Sequence, residues 1–317
     1  MRFLQIQLAV AAVMTLLASS TPAAGVRISF LGDDLAFEDT RTFLTSNGCG
    51  ESSAAAFHQM VRDYFFAGFD IDLSKFPKPQ KGFYSFAKME DLIAALPSEP
   101  FRSNHAVGVN CFDTVIVLAQ GQLKTSLEPD EVSGPFLVPL LNTNSQPPSF
   151  AISGAATPRN AFAQLYGPAY IGVSERFISE SMKDSRICLS AALYQSHVLP
   201  FSAAGEILRS RTMDVLRLSW RRDRLEFPTR FQLVQIHGVD SAGVCTEHAG
   251  LLFRRDKGYS YIEKNGVSGP FVRLDCERQS DLALWLTTLW KECKLHKSHL
   301  ATFNDADITD VTPPLVK

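Results

Sequence analysis

Apolar positions before Pro228 recur at helical spacing, and after it they alternate as strands do. From Ser52 onward Phe57, Met60, Val61, Tyr64 and Phe65 share one helical face, with Gly68 as the stop. A loop rich in Pro and Lys (76–82) precedes a short helix across Lys88 to Leu96. Another helix opens at Cys111 and is expected to run to about Leu123, with Phe112, Val115, Ile116 and Ala119 on one face. From Ser126 to Pro158 the chain is crowded with Pro, Ser and Asn and reads as a long loop; helical segments return between Asn160 and Arg221. After Pro228 the pattern predicts strands over 230–237, 248–253, 259–264 and 271–274. An amphipathic helix follows, with Leu282, Trp285, Leu286, Leu289, Trp290 and Cys293 on a single stripe. From Lys294 the chain is polar and holds Pro313-Pro314, which predicts a poorly ordered tail over 294–317.

The order of these elements, helices first and antiparallel strands later, is that of an α+β fold. Residues 1–24 read as a signal peptide: Arg2 is the positive region, Leu4 to Leu17 the apolar core, and Ala18 to Ala24 the small residues around a proline. The core is shorter than the roughly 20 residues of a spanning helix. The expected protein is therefore secreted or periplasmic, without a stable membrane span; an uncleaved anchor is the alternative. Residues 25–293 are expected to form a single domain with a loop and helical insertion at about 126–227. Hydrophobic residues at 45% and charged residues at 20% suit a globular chain. A net charge of -2 gives no long-range pull toward nucleic acid or anionic lipid, so those partners are not expected.

The candidate chemistry lies in two distant segments. In Val109-Asn110-Cys111-Phe112-Asp113-Thr114 a cysteine opens an apolar helix; in Glu247-His248-Ala249-Gly250-Leu251-Leu252-Phe253 a histidine opens an apolar strand. A thiol attacks a carbonyl as thiolate, and the unpaired amides of a helix N-terminus favour that charge. Asn110 suits the N-cap position and a place beside the substrate, and Asp113 sits near the capping-box position. His248 would take the thiol proton and return it to the leaving group. The third member depends on the turn that follows. A four-residue loop, Arg255 to Gly258, places Glu263 diagonally beside His248, and a three-residue loop places Lys264 there. Glu263 is preferred, because a carboxylate orients an imidazole better than an ammonium does. His237 is a candidate second polar group lining the same cleft, with a solvent-facing strand end as its alternative. In the structural alternative for the whole site, Cys111 is a small buried hydrophobe and His248 a satisfied strand histidine.

The layout of helix cysteine, strand histidine and a polar residue on the next strand resembles papain-like cysteine hydrolases of the NlpC/P60 type. Their D-C-S-G motif is here Asn110-Cys111-Phe112-Asp113. The pieces Asn110-Cys111, His248-Ala249-Gly250-Leu251-Leu252, Tyr261-Ile262-Glu263-Lys264 and Gly269-Pro270-Phe271 also resemble an uncharacterised family of bacterial lipoproteins. That family carries N-C-R, H-A-G-V-L and I-E-K…P-Y-Q motifs. Phe112 replaces its arginine, and the lipoprotein cysteine is absent. The resemblance covers mainly residues 105–120 and 230–290. It implies a nucleophile helix packed on an antiparallel sheet and cleavage of an amide bond in a peptide or peptidoglycan-like substrate, without a cofactor. The rival expectation is a non-catalytic periplasmic binding or interaction protein on the same fold.

Three further clusters compete for attention. Asn47-Gly48-Cys49-Gly50 puts a second cysteine just before a helix, as a rival nucleophile or a turn cysteine. Cys293, His296 and His299 have ligand-like spacing but lack a fourth donor, so no metal site is expected. Arg209, Arg211, Arg217, Arg221, Arg222 and Arg224 read as the solvated face of an amphipathic helix. Of the six cysteines, Cys276 and Cys293 are not expected to pair, because the helix between them would hold them about 20 Å apart.

Overall fold

A computed structural model describes residues 25–64, 72–96, 109, 111–126, 189, 193, 196–198, 205–239, 243–265, 269–290 and 298–307. The signal-peptide expectation for residues 1–24, Asn110, and most of the insertion lie outside them. The frame is a nine-stranded, wholly antiparallel sheet with helices on both faces.

Strand β1 (Val26–Ser29) is followed by helix α1 (Asp34–Ser46) and helix α2 (Glu51–Tyr64). The Asp33 side chain caps α1 by accepting from the Leu35 and Ala36 amides. Its buried residues, Ala36, Phe37, Thr40 and Leu44, follow the helical repeat that turns one face inward. Strand β2 (Tyr84–Phe86) and helix α3 (Met89–Ala95) precede helix α4 (Cys111–Leu118). All eight residues of α4 are buried. The expected run to Leu123 is too long: the chain leaves the helix after Leu118 and turns through Gly121 at φ 78.

Two short strands, β3 (Lys124–Thr125) and β5 (Leu225–Glu226), pair with each other and pinch the base of the insertion. Within it, β4 (Ser196–Val198) adds to the main sheet beside β7. Helix α5 (Gly205–Arg222) lays Met213, Leu216 and Trp220 against Val244 and Leu300. The insertion is thus tied into the domain at its described parts. Arg217 and Arg221 face solvent, as an amphipathic helix requires, while Arg224 lies beyond the end of α5 and donates to the Ser126 carbonyl.

The sheet continues with β6 (Gln232–Val239), β7 (Gly243–Arg254), β8 (Tyr259–Lys264) and β9 (Phe271–Cys276). Helix α6 (Gln279–Trp290), β10 (Ser298–Phe303) and β11 (Ala306–Asp307) complete it. The strand order is β11-β10-β6-β7-β8-β9-β1-β2, with β4 also paired to β7. The expectation of a disordered polar tail from Lys294 is corrected here, because β10 pairs with β6 along six residues. Leu300, Ala301 and Phe303 are buried in that pairing, and β6 would otherwise present a bare edge.

Side chains alternate across the sheet and build two cores. Leu233, Ala249, Leu251, Phe253, Ile262 and Phe271 face α1, α2 and α4. Val234, Ile236, Leu252, Tyr261, Val272 and Leu274 face α3 and α6, where Leu282, Trp285 and Leu286 cover them. Each fully buried large apolar side chain contributes about 1.5–3 kcal/mol. On the first face, Arg27, Arg255 and Arg273 converge on the buried Asp275 carboxylate, which also accepts from Ser260. The three guanidiniums hold Asp275 below its usual range against the opposing effect of burial.

Candidate active site

The β7–β8 hairpin sets the position of every group in the site. Its loop is Arg255 to Gly258, closed by the Arg255 amide donating to the Gly258 carbonyl at 2.9 Å, with Gly258 at φ 84. This four-residue loop pairs Gly250 with Glu263, so Glu263 lies diagonally from His248 and on the same face. His248 Nε2 and Glu263 Oε2 are 2.5 Å apart, and both side chains are fully buried. Glu263 Oε1 accepts from Trp285 Nε1 at 2.9 Å. The Tyr261 hydroxyl lies 3.3 Å from His248 Nε2 and within reach of the Glu263 charge. The carboxylate is therefore held by an indole and an imidazole, and the phenol meets the same imidazole nitrogen.

Gly250 is part of that grip. A Cβ there would collide with the ring and hydroxyl of Tyr261, which lies across the strand at this point. Only a residue without a side chain lets Tyr261 reach the histidine.

The β7–β8 ladder ends at Gly250↔Glu263, two residues short of His248. Beside this opening α4 packs on both strands and begins with Cys111. Cys111 is an electrostatic neighbour of His248, and it also lies in the electrostatic surroundings of Tyr261 and Lys264. Burial works against a charged His248, but the charges of Cys111 and Glu263 and their hydrogen bonds outweigh it. Its pKa rises from 6.5 to about 10. An imidazolium so placed favours a thiolate beside it. The Tyr261 hydroxyl is pushed well above its usual range, by burial first and then by the Glu263 charge, and stays a donor.

The other expected residues lie elsewhere. His237 does not line this site. It is fully buried, its Nδ1 3.0 Å from Thr246 Oγ1 and its Nε2 3.1 Å from Thr302 Oγ1, beneath Trp220. The reason is alternation along β6: Ile236 pairs with His248 and shares its face, so His237, the next residue, points to the other. The β-bulge at this point, with Glu247 the extra residue on β7, sets Thr246 opposite His237. Lys264 is likewise on the opposite face from Glu263, its Nζ donating to the Gly269 carbonyl at 2.7 Å. Cys49 packs in the same core as Cys111, but burial pushes its thiol up to about 12, and His248 answers to Cys111 and Glu263. Cys293 and His296 fall outside the described residues, and among those described no group of three or more possible metal ligands assembles.

Burial is the largest departure from expectation. Cys111 and His248 were expected to border a cleft, yet only 3% of Cys111 and none of His248 is exposed. The sequence reading also passed over Trp285 and Tyr261 as positioning groups. The available signal was the polar tip of each ring, which seeks a partner when the ring is buried.

No protein-family model matches the chain, and no curated protein or solved structure matches it. Among the described residues, no helix is long and apolar enough to cross a membrane.

Proposed function

We propose that this chain is a secreted cysteine hydrolase with a papain-like arrangement, cleaving an amide bond in a peptide of the peptidoglycan type. What carries the reading is the Cys111–His248–Glu263 chain of contacts, made by residues far apart in sequence. The first residue of a helix supplies the thiol, a strand supplies the base, and a carboxylate holds that base from behind. Cys111 would attack the carbonyl carbon as thiolate. His248 would hand its proton to the leaving amine, and water would then release the acyl group with His248 as base. The substrate class rests on the export signal and the motif resemblance.

A second reading, a non-catalytic binding protein on the same fold, draws on the burial of the thiol and imidazole. Incubation with purified muropeptides separates the two. The hydrolase reading expects wild-type protein to yield fragments heavier in sum by one water, and Cys111→Ala protein to yield none. Intact muropeptides with the wild type would support the binding protein, and equal cleavage by the variant would remove Cys111 as the nucleophile.

A further inference from the structure

Helix α6 packs on the sheet through the buried side chains of Leu282, Trp285 and Leu286. The two leucines are apolar throughout. Trp285 carries an indole N–H, and a buried ring of this kind seeks an acceptor for it. The acceptor is Glu263 Oε1, at 2.9 Å.

That donor constrains the pair beyond it. An indole N–H can only donate, so Oε1 accepts and carries no proton toward it. A proton held between Glu263 and His248 therefore lies on the other line, between Oε2 and Nε2, which are 2.5 Å apart. The Tyr261 hydroxyl also comes within 3.3 Å of Nε2, and a hydroxyl can donate or accept. Nε2 thus has two neighbours able to fix its proton in opposite ways. A carboxylate oxygen that accepts from Nε2 keeps the proton there. A group that donates to a bare Nε2 sends the proton of the neutral ring to Nδ1. The outcome depends on which way the carboxyl group is turned and on its ionisation, and a hydrogen bond donated to a carboxylate favours its charged form.

We propose that Trp285 is a positioning residue for the base: its N–H turns Glu263 so that Oε2 faces His248, keeps that carboxylate ionised, and so sets the imidazole proton on Nε2. The inference deepens the proposed hydrolase mechanism, because it rests on His248 being the base and names what orients it. Trp285 acts through Glu263 and has no contact with substrate in this account.

The test is a substitution that reports which way the side chain at position 263 is turned. Glu263→Gln leaves one oxygen and one NH2 there. With Trp285 in place the indole takes the oxygen, the NH2 donates to Nε2, and the neutral His248 ring is expected to carry its proton on Nδ1. In Trp285→Phe/Glu263→Gln the amide is free to turn, and rings protonated on Nε2 are expected to reappear. Full-length protein labelled with 15N-histidine distinguishes the two tautomers by the ring nitrogen shifts, read above the titration midpoint of each variant. Trp285→Phe alone is expected to lower the His248 midpoint by about one unit and kcat about tenfold, with KM little changed. A Glu263→Gln ring protonated on Nε2 would overturn the proposal, as would the same tautomer with and without the indole. If the variants lacking the indole do not fold, Glu263→Gln alone decides. Failure of the hydrolase reading looks different: wild-type protein would leave muropeptides intact while the ring nitrogens still respond as described.

Discussion

At the residue scale, His248 and Lys264 make opposite demands on pH. The folded His248 has a pKa near 10 against 6.5 unfolded, so its stabilisation is full below 6.5 and is lost as pH rises through about 10. Lys264 runs the other way. Its folded pKa is about 7 against 10.5 unfolded, so burying it is a penalty at low pH that disappears between about 7 and 10.5. The two slopes oppose each other across most of the alkaline range. Lys264→Met removes the rising one, so its stability is expected to fall more steeply than that of the wild type between about pH 7 and 10. Denaturant unfolding at three pH values checks this, and parallel curves would refute it. Glu263→Gln keeps the shape but removes the charge behind the imidazole. The expected loss of hydrolytic rate is on the order of a hundredfold or more. The His248 pKa, followed by NMR titration, should drop well below about 10. Cys111→Ala should lower stability by about 1 kcal/mol, because the sulfur is enclosed by packed neighbours.

At the element scale, the β7–β8 hairpin was legible in advance, and it shows why. Gly258 marks the turn, the flanking residues alternate, and the choice of a four-residue loop follows from setting a carboxylate beside a histidine. The bulge at Glu247 was not legible. No residue in Gln235 to His248 announces it, and its effect is to bring Thr246 opposite His237, whose Nδ1 it meets. Strand β1 was missed because four residues are too few for alternation to stand out; Arg27 and Ser29 face polar partners on its buried side. Helix α1 carries a clear Asp33 cap, and that signal was available but unused. Strand β10 was taken for tail because its residues are mixed in character and its pairing with β6 is distant in sequence. Gly250 gives the test at this scale. Gly250→Ala forces Tyr261 off the histidine, and the expected destabilisation is about 1–3 kcal/mol, with a loss of rate. Unchanged unfolding and unchanged rate would mean that Tyr261 is not held as described.

At the scale of the whole molecule, one sheet divides two cores, and the site occupies the place where the ladder opens between them. Removing residues 298–317 would strip β10 and β11 from β6 and uncover Val234 and Ile236. The expected result is a drop of several °C or more in Tm, or aggregation through the bared edge; a truncated chain that melts like the wild type would contradict the sheet order. The central claim, that Cys111 is a working nucleophile, has an internal control in the molecule. Cys49, Cys111 and Cys276 are 3%, 3% and 2% exposed, so access to reagent is nearly equal. Burial pushes Cys49 and Cys276 up to about 12, and of the three only Cys111 has the His248 imidazole as an electrostatic neighbour. The decisive measurement is the relative rate of iodoacetamide labelling of these three thiols in folded protein at neutral pH. Cys111 is expected to react at least tenfold faster than the other two, and equal rates for all three would contradict the account.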